Sequence, residues 1–277
     1  ILYMVATPIG NLEDITYRAL RILKEVDFIG AEDTRHTKKL LNHYSISTPL
    51  ISYYREREQQ RSLEIIEKLK TGKDVAIVSD AGTPGISDPG AVIVQQAYKE
   101  NIKVVPIPGP SAITTAVCCS GMVESSYTFH GFAPSKSGQR KAFLKSMANH
   151  TIPFILYESP HRFQPLVNDI SLILGDRKLF MARELTKNFE ELLPISTTML
   201  LSHLQNHPPK GEFVLIVYPE EKKEVSDGTI TKKINQYFSE KTDLKTKEIS
   251  KAISEELGVN KSRVYQLILS YTKTYKY

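Results

Sequence analysis

Val75-Ala76-Ile77-Val78-Ser79-Asp80-Ala81-Gly82-Thr83-Pro84-Gly85-Ile86-Ser87-Asp88-Pro89-Gly90 is the stretch whose reading decides the fold. Val75 to Val78 is a short apolar run and reads as a buried strand. Ala91 to Tyr98 is apolar at helical spacing. Between them, residues 79–90 hold three glycines, two prolines, two aspartates, two serines and a threonine. Glycine opens backbone conformations closed to other residues, and proline fixes φ and removes a donor. Connections of this kind usually take about 2–6 residues, so this one is long. A long, rigid loop with two carboxylates at the carboxyl end of a strand is where open α/β sheets bind ligands.

The same alternation extends both ways. Leu2–Ala6, Phe28–Ala31, Leu50–Tyr53, Val75–Val78 and Lys103–Ile107 read as strands. Helices are expected near 14–26, capped by Asp14, at 38–44, at 60–70, and after Ser111. Strand–helix alternation implies a parallel sheet covered on both faces. Polar segments 7–11, 32–37, 79–90 and 108–112 then leave the same sheet edge and gather into one cleft.

Residues 121–126 read as a boundary. Beyond it come strands Tyr127–Phe132, Ile152–Tyr157, Lys178–Ala182 and Glu212–Tyr218, a basic loop 134–141, and a helix ending at Gly175. Short final connections imply some antiparallel pairing. The predicted fold class is α/β, with two unlike α/β/α domains and a small helical tail. The first domain has a mainly parallel five-stranded sheet and the second a mixed sheet. The boundaries are 1–120, 121–219, a linker at 220–230, and a tail at 231–277. In the tail, a helix capped by Thr246, a Gly258-Val259 turn and a second helix outline a helix-turn-helix. A packed helical hairpin has the same outline.

Composition narrows the function. The chain has 277 residues and a net charge of +5. Residues 231–277 hold ten Lys/Arg against five Asp/Glu, so the whole excess lies in the tail. A basic end on a neutral body suits an anionic partner, or is a solubilising face. No apolar run approaches the ~20 residues of a membrane span. Leu2–Ala6 is too short for a signal peptide, and the native start is expected upstream of Ile1. The expected compartment is the cytoplasm. Cys118 and Cys119 suit buried helix positions. No metal-binding spacing is present, and neither the phosphate loop of NTPases nor a Gly-x-Gly-x-x-Gly follows the first strand.

What remains is polar loops rich in hydroxyls, carboxylates and backbone donors. They suit a ligand with a ribose and an amino acid end. Asp80 or Asp88 can accept from a ribose or an ammonium, and Ser111 opens a helix start that can take a carboxylate. A second, basic set includes Arg35, His36, Lys136, Arg140, Lys141, His161, Arg162, Arg183 and Lys187. It suits phosphate groups, although Arg183 can equally be a structural ion pair and 136–141 a solvated loop. Glu32, Asp33, Glu158 and Glu184 can act as bases if desolvated, or can orient the arginines. Tyr53 and Tyr54 can stack on bases or fill the core.

Val5–Ile15, Ala31–Thr37, Ser79–Gly90, Pro108–Ala112, Tyr157–Arg162, Ala182–Lys187 and Lys210–Val217 together resemble the tetrapyrrole methylase superfamily. Within it they are most similar to the family of small-subunit ribosomal RNA (cytidine) ribose 2′-O-methyltransferases. The resemblance covers residues 2–218 and, more loosely, the tail. Ala91 stands where an aromatic is usual, and Cys118-Cys119 where small residues are. The resemblance implies S-adenosylmethionine as methyl donor, S-adenosylhomocysteine as product, and no metal. It implies a cytidine ribose in the decoding region of 16S ribosomal RNA, within the small ribosomal subunit, as acceptor, and a homodimer. The cofactor contacts it implies are Ile9, Ser79, Asp80, Ala81, Thr83, Ser111, Ala112, Tyr157, Ala182, Gly211 and Glu212. Arg35, His36, Arg162 and Lys187 fall to the RNA side. Asp33, then Glu32 and Glu158, are the candidate bases. The rival readings are a methylase of tetrapyrroles or other small molecules, and an RNA-binding module with an inactive cleft.

Overall fold

The computed structural model describes residues 1–121, 126–220, 225–240 and 245–274, with backbone only for 272–274. It falls into two units, Ile1–Glu220 and Glu221–Tyr277.

The first unit contains two five-stranded sheets. β1 (Leu2–Val5), α1 (Tyr17–Glu25), β2 (Phe28–Ala31), α2 (Thr34–His43), β3 (Leu50–Ser52), α3 (Glu58–Lys70), β4 (Val75–Val78), α4 (Ala91–Lys99), β5 (Val104–Ile107) and α5 (Ala112–Cys119) alternate as the sequence implies. The strand order is β3-β2-β4-β1-β5, with every pair parallel. α1 and α2 bury Leu23, Leu40 and Leu41 on one face. α3 and α4 bury Ile65, Leu69 and Ile93 on the other. The chain therefore leaves adjacent β1 and β4 toward opposite faces, and a crevice opens at their carboxyl ends.

Two helix starts differ from the sequence reading. Thr16, rather than Asp14, caps α1: its Oγ1 accepts the Ala19 N–H at 3.1 Å. Asp14 instead ends a short 3₁₀ turn, Leu12–Asp14. α2 begins at Thr34, four residues before the expected start, because Asp33 caps it and accepts the Arg35 N–H at 2.8 Å. A short acidic side chain in extended backbone satisfies an otherwise orphaned first-turn donor.

The second sheet is built from β6 (Thr128–Phe132), β7 (Phe154–Glu158), β8 (Lys178–Arg183), β9 (Glu191–Ser196) and β10 (Phe213–Val217). Its order is β6-β7-β10-β8-β9. Only β6 and β7 run parallel, while β10 pairs antiparallel with both neighbours and β8 with β9. α6 (Ser137–Met147), α7 (Pro160–Leu174) and α8 (Thr197–Asn206) cover one face. The other face packs Ile155, Phe180 and Val214 against Ile9, Ile113 and Ala116 of the preceding half. Each of these buried Ile, Phe and Val side chains contributes about 1.5–3 kcal/mol relative to exposure.

The sequence reading leaves out β9 and α8. Pro194 disguises β9, and the sheet tolerates it because β9 is an edge strand. The basic loop at 134–141 is also corrected, since residues from Ser137 onward are helical. Arg140 is buried and donates through Nε to Asp169 Oδ2 at 2.7 Å. The expected boundary at 121–126 lies largely outside the described residues.

The second unit comprises α9 (Asp227–Ser239), α10 (Thr246–Leu257) and α11 (Lys261–Thr274). Ile230, Ile234, Ile249, Ile253, Val264 and Ile268 form its core. α9 begins inside the stretch read as a linker, capped by Ser226, which accepts the Thr229 N–H at 3.2 Å. Thr246 is the first residue of α10 and not its cap. Lys245 precedes it, and its N–H is taken by Glu248 at 2.7 Å. Gly258, at φ +62°, ends α10 in the left-handed turn that precedes α11.

No described helix is long and apolar enough to cross a membrane.

Candidate active site

The polar segments meet around a cavity of about 510 Å³ within the first unit. Its making begins with the backbone. Thr7 and Gly82 exchange N–H···O bonds at 2.8 and 3.0 Å, which joins the segment after β1 to the loop after β4. Thr83 Oγ1 donates to Pro110 O at 3.1 Å, adding the segment after β5. The loop then closes on itself, with Gly85 N–H donating to Pro89 O at 3.2 Å. Gly90 sits at φ +149°, and a Cβ there would come within 2.9 Å of Gly85 N. Glu58 holds this end: its Oε1 accepts from Gly90 N–H at 2.8 Å and Tyr53 Oη at 3.0 Å. Arg55 donates to Ser87 O. Tyr53 is therefore a core residue that braces the loop, and only 1% exposed.

The wall from the first sheet carries Ile9, Glu32, Asp80, Ala81, Thr83, Asp88, Ser111 and Ala112. The opposite wall carries Phe132, Tyr157, Glu158, Leu185, Glu212 and Val214. Of the expected cofactor contacts, Ile9, Asp80, Ala81, Thr83, Ser111, Ala112, Tyr157 and Glu212 all line this cavity. Ser79, Ala182 and Gly211 do not. Ser79 is 2% exposed and spends its hydroxyl on Ala81 O and Gly82 O. Ala182 is fully buried in the sheet. Gly211, at φ +83°, makes room for Glu184, whose carboxyl carbon would lie 2.4 Å from a Cβ there. Gly82, Ile86, Ser87, Ser159, Pro160 and Phe213 complete the lining. The sequence reading gave none of them an individual role.

The carboxylates divide by environment. Glu32 lies at the end of β2, where burial, then Asp88 and Asp80, raise its pKa to about 7. Burial likewise raises Asp88, against the pull of Arg55. Burial pushes the Tyr157 hydroxyl up to about 12, with Asp88 adding to the shift. Asp33 differs. Its carboxylate accepts the Arg35 side chain at 2.8 and 3.1 Å, which holds it well below the usual carboxylate range. It caps α2 and does not line the cavity, so a basic role is not what its surroundings prepare. Glu158 is buried at 2% exposure, and burial raises its pKa.

The basic residues stay off the cavity lining. Arg35 is exposed beside Asp33, and His36 borders a separate recess of about 40 Å³ with Thr7, Leu12 and Asp80. Arg162 donates to Ala133 O. Lys187 is held by Glu184 at 2.9 Å and Glu212 at 3.0 Å, which makes it a clamp on the segments after β8 and before β10. Arg183 pairs with Glu191 at 2.9 Å rather than with Glu184. Cys118 and Cys119 are exposed, contrary to the buried placement expected. Among the described residues, no cluster of His, Cys, Asp and Glu is arranged to hold a metal ion.

A crevice at strand ends, with acidic groups on both walls and aromatic and aliphatic side chains between them, sits in a fold of known kind. Residues 1–199 match the Tetrapyrrole (Corrin/Porphyrin) Methylases, and the chain belongs to that family. Solved structures of the same fold include the methyltransferase CobJ, with TM-score 0.60 at 15% identity, covering 79% of this chain and 94% of that one. Another is cobalt precorrin-4 methyltransferase, with TM-score 0.57 at 16% identity over 78% and 94% of the two chains. Nearer in sequence are proteins named Ribosomal RNA small subunit methyltransferase I, and the chain groups with them inside the family. That of Synechocystis sp. is 41% identical over 273 residues, covering 97% of both chains. That of Bacillus subtilis is 41% identical over 272 residues, covering 96% of this chain and 92% of the other.

Proposed function

We propose that this protein transfers a methyl group from S-adenosylmethionine to the ribose 2′-hydroxyl of a cytidine in the decoding region of small-subunit ribosomal RNA. The observation that carries the reading is the half-buried carboxylate of Glu32 on the wall of the 510 Å³ cavity. The names of the near relatives supply the ribosomal RNA.

The residues present fit the donor. Asp80 and Asp88 offer acceptors to ribose hydroxyls or an ammonium, and the start of α5 at Ser111–Ala112 offers amides to a carboxylate. Ile9, Leu185 and Val214 offer apolar surface to an adenine. When bound, the donor supplies an electrophilic methyl group whose leaving sulfur becomes neutral and needs no acid.

A ribose hydroxyl is a weak nucleophile and gains from a base whose pKa lies near the working pH. Glu32 meets that condition, at about 7. We assign it the proton of the 2′-hydroxyl, in place of Asp33. Arg35, His36, Arg162 and Lys187 then bear on RNA only from outside the cavity. We further infer a cytoplasmic homodimer, each chain carrying domains 1–120 and 121–219, with the basic tail adding affinity for the RNA backbone.

The test is labelled methyl transfer from S-adenosylmethionine to small ribosomal subunits from cells lacking the modification, followed by digestion to nucleosides. Label in 2′-O-methylcytidine is expected. Donor binding without label in RNA, and label in a tetrapyrrole instead, would overturn the reading in favour of a small-molecule methylase.

A further inference from the structure

Two large apolar side chains on the cavity lining are exposed, Phe132 at 54% and Ile86 at 52%. They come from opposite walls, and the walls approach each other beside them. Gly131 precedes Phe132, and Ser87 follows Ile86. A Cβ on Gly131 would lie 3.7 Å from Ser87 Oγ.

The backbone holds both side chains where they are. In β6 three steps lead from Phe129 to Phe132, while in β7 two lead from Ile155 to Tyr157, so β6 carries an extra residue. Side chains alternate along a strand, and three regular steps would put Phe129 and Phe132 on opposite faces. The bulge, with Gly131 at φ +64°, instead brings both rings edge-on to Tyr157, at centroid distances of 4.9 and 5.8 Å. Phe129 packs against the shared core, whereas Phe132 stops at the rim. An edge-on contact occupies at most one face of a ring, so a Phe132 face is left for stacking. Ile86 is fixed by its loop, which Gly85 N–H closes on Pro89 O and Arg55 pins at Ser87 O.

The apolar surface inside the cavity is separate from this rim. Ile9, Leu185 and Val214 are only 9%, 6% and 5% exposed. A small donor enclosed by the cavity takes the deep surface. A nucleotide within a polymer arrives from solvent, and its base meets the rim. An unstacked base is held by its flat faces, on an aromatic ring above all.

We propose that Phe132 and Ile86 form a clip for the base of the acceptor nucleotide. Phe132 stacks on one face of the base and Ile86 covers the other, which leaves the attached ribose to reach inward toward Glu32. The inference rests on the nucleotide-acceptor reading above, and it requires the target base to leave its own stack before methylation. The clip grips faces and not edges, so it supplies affinity and position rather than choice among bases.

The experiment uses the full-length protein as wild type, Phe132→Ala, Phe132→Tyr and Ile86→Ala. Acceptors are small subunits reconstituted with either cytidine or an abasic ribose at the target position; the abasic residue keeps the 2′-hydroxyl and lacks only the base. S-adenosylmethionine titrations of all variants are expected to match wild type. On cytidine, Phe132→Ala should lose about fivefold or more in kcat/KM, mostly through KM. Ile86→Ala should lose less, and Phe132→Tyr should stay near wild type. On the abasic acceptor, wild type should already show the loss, and Phe132→Ala should add almost nothing, since no base is left to stack. Equal losses by Phe132→Ala on both acceptors, or none on either, would overturn the clip and leave the proposed function standing. So would a weakened donor titration, which would assign the ring to the adenine of the donor. Donor binding by wild type without transfer to either RNA, and label in a tetrapyrrole instead, would overturn both.

Discussion

Asp80 Oδ1 accepts the backbone N–H of Asp33 at 2.9 Å, so the loop after β4 is fastened to the first turn after β2. The bond places Glu32, one residue earlier, against the cavity while turning Asp33 outward to cap α2. Replacing Asp80 with Ala removes the acceptor and leaves a half-buried N–H behind, at about 1–3 kcal/mol. Thermal melting should show that loss. Donor titration should show at least a tenfold weaker affinity, because Asp80 also lines the cavity. Wild-type values in both measurements would contradict the role given to this bond.

Glu32 controls two pH dependences of opposite usefulness. As a base it works ionised, so turnover should rise with pH through about 7 and then level. Glu32→Gln should cost about 10²–10⁴ in turnover and flatten that rise, with donor affinity kept. In stability the sign runs the other way. Folding raises this carboxyl's pKa from 4.5 to about 7, so the folded state holds the proton longer than the unfolded chain. Stability is lost as pH climbs across that window. Glu32→Gln should therefore melt higher than wild type at pH 8, with the advantage gone near pH 4.

The Arg140–Asp169 pair is buried, with side chains 7% and 10% exposed. Arg140→Met leaves Asp169 with Lys141 at 3.7 Å as its remaining cation. Breaking a buried pair on one side costs about 3–5 kcal/mol, and the more distant Lys141 should hold the loss near the lower figure. Urea unfolding would measure it.

Gly211 cannot become Ala without moving Glu184, and its φ of +83° is closed to most side chains. The expected cost is about 1–3 kcal/mol. Because Glu184 also holds Lys187 and accepts the Glu212 N–H at 3.0 Å, donor affinity should fall with stability. Melting and titration moving together would confirm a structural glycine. A loss of affinity alone would make it a direct contact.

The second unit presents exposed Lys232, Lys247 and Lys261. Reversing all three to Glu in the full chain should weaken binding to small subunits without changing donor affinity. The slope of log affinity against log salt should flatten by about 0.7 for each phosphate that the protein no longer neutralises. An unchanged slope would leave this unit a packing element.

Much of this was legible in the sequence, for identifiable reasons. Each strand of the first sheet is a short apolar run followed by turn-forming residues, so both its parallel order and its cleft follow from alternation. Eight of the eleven expected cofactor contacts line the cavity, because loops at one sheet edge have nowhere else to converge. What stayed hidden depends on single turns of chain. Asp33 is a cap or a base according to where α2 starts, and the periodicity of 38–44 does not fix that point. β9 hides behind Pro194, since only its edge position excuses the proline. Phe132 looks like a core strand residue until a bulge turns it outward. Arg140 reads as a surface cation until Asp169, 29 positions away, reaches it.

The core shared by Ile9, Ile113 and Ala116 with Ile155, Phe180 and Val214 has a consequence for how the molecule breathes. Neither sheet owns that core alone, so neither can shed the other without wetting its own interior. The amides of β1 and β10 should then exchange with solvent through the same rare opening, at one common free energy.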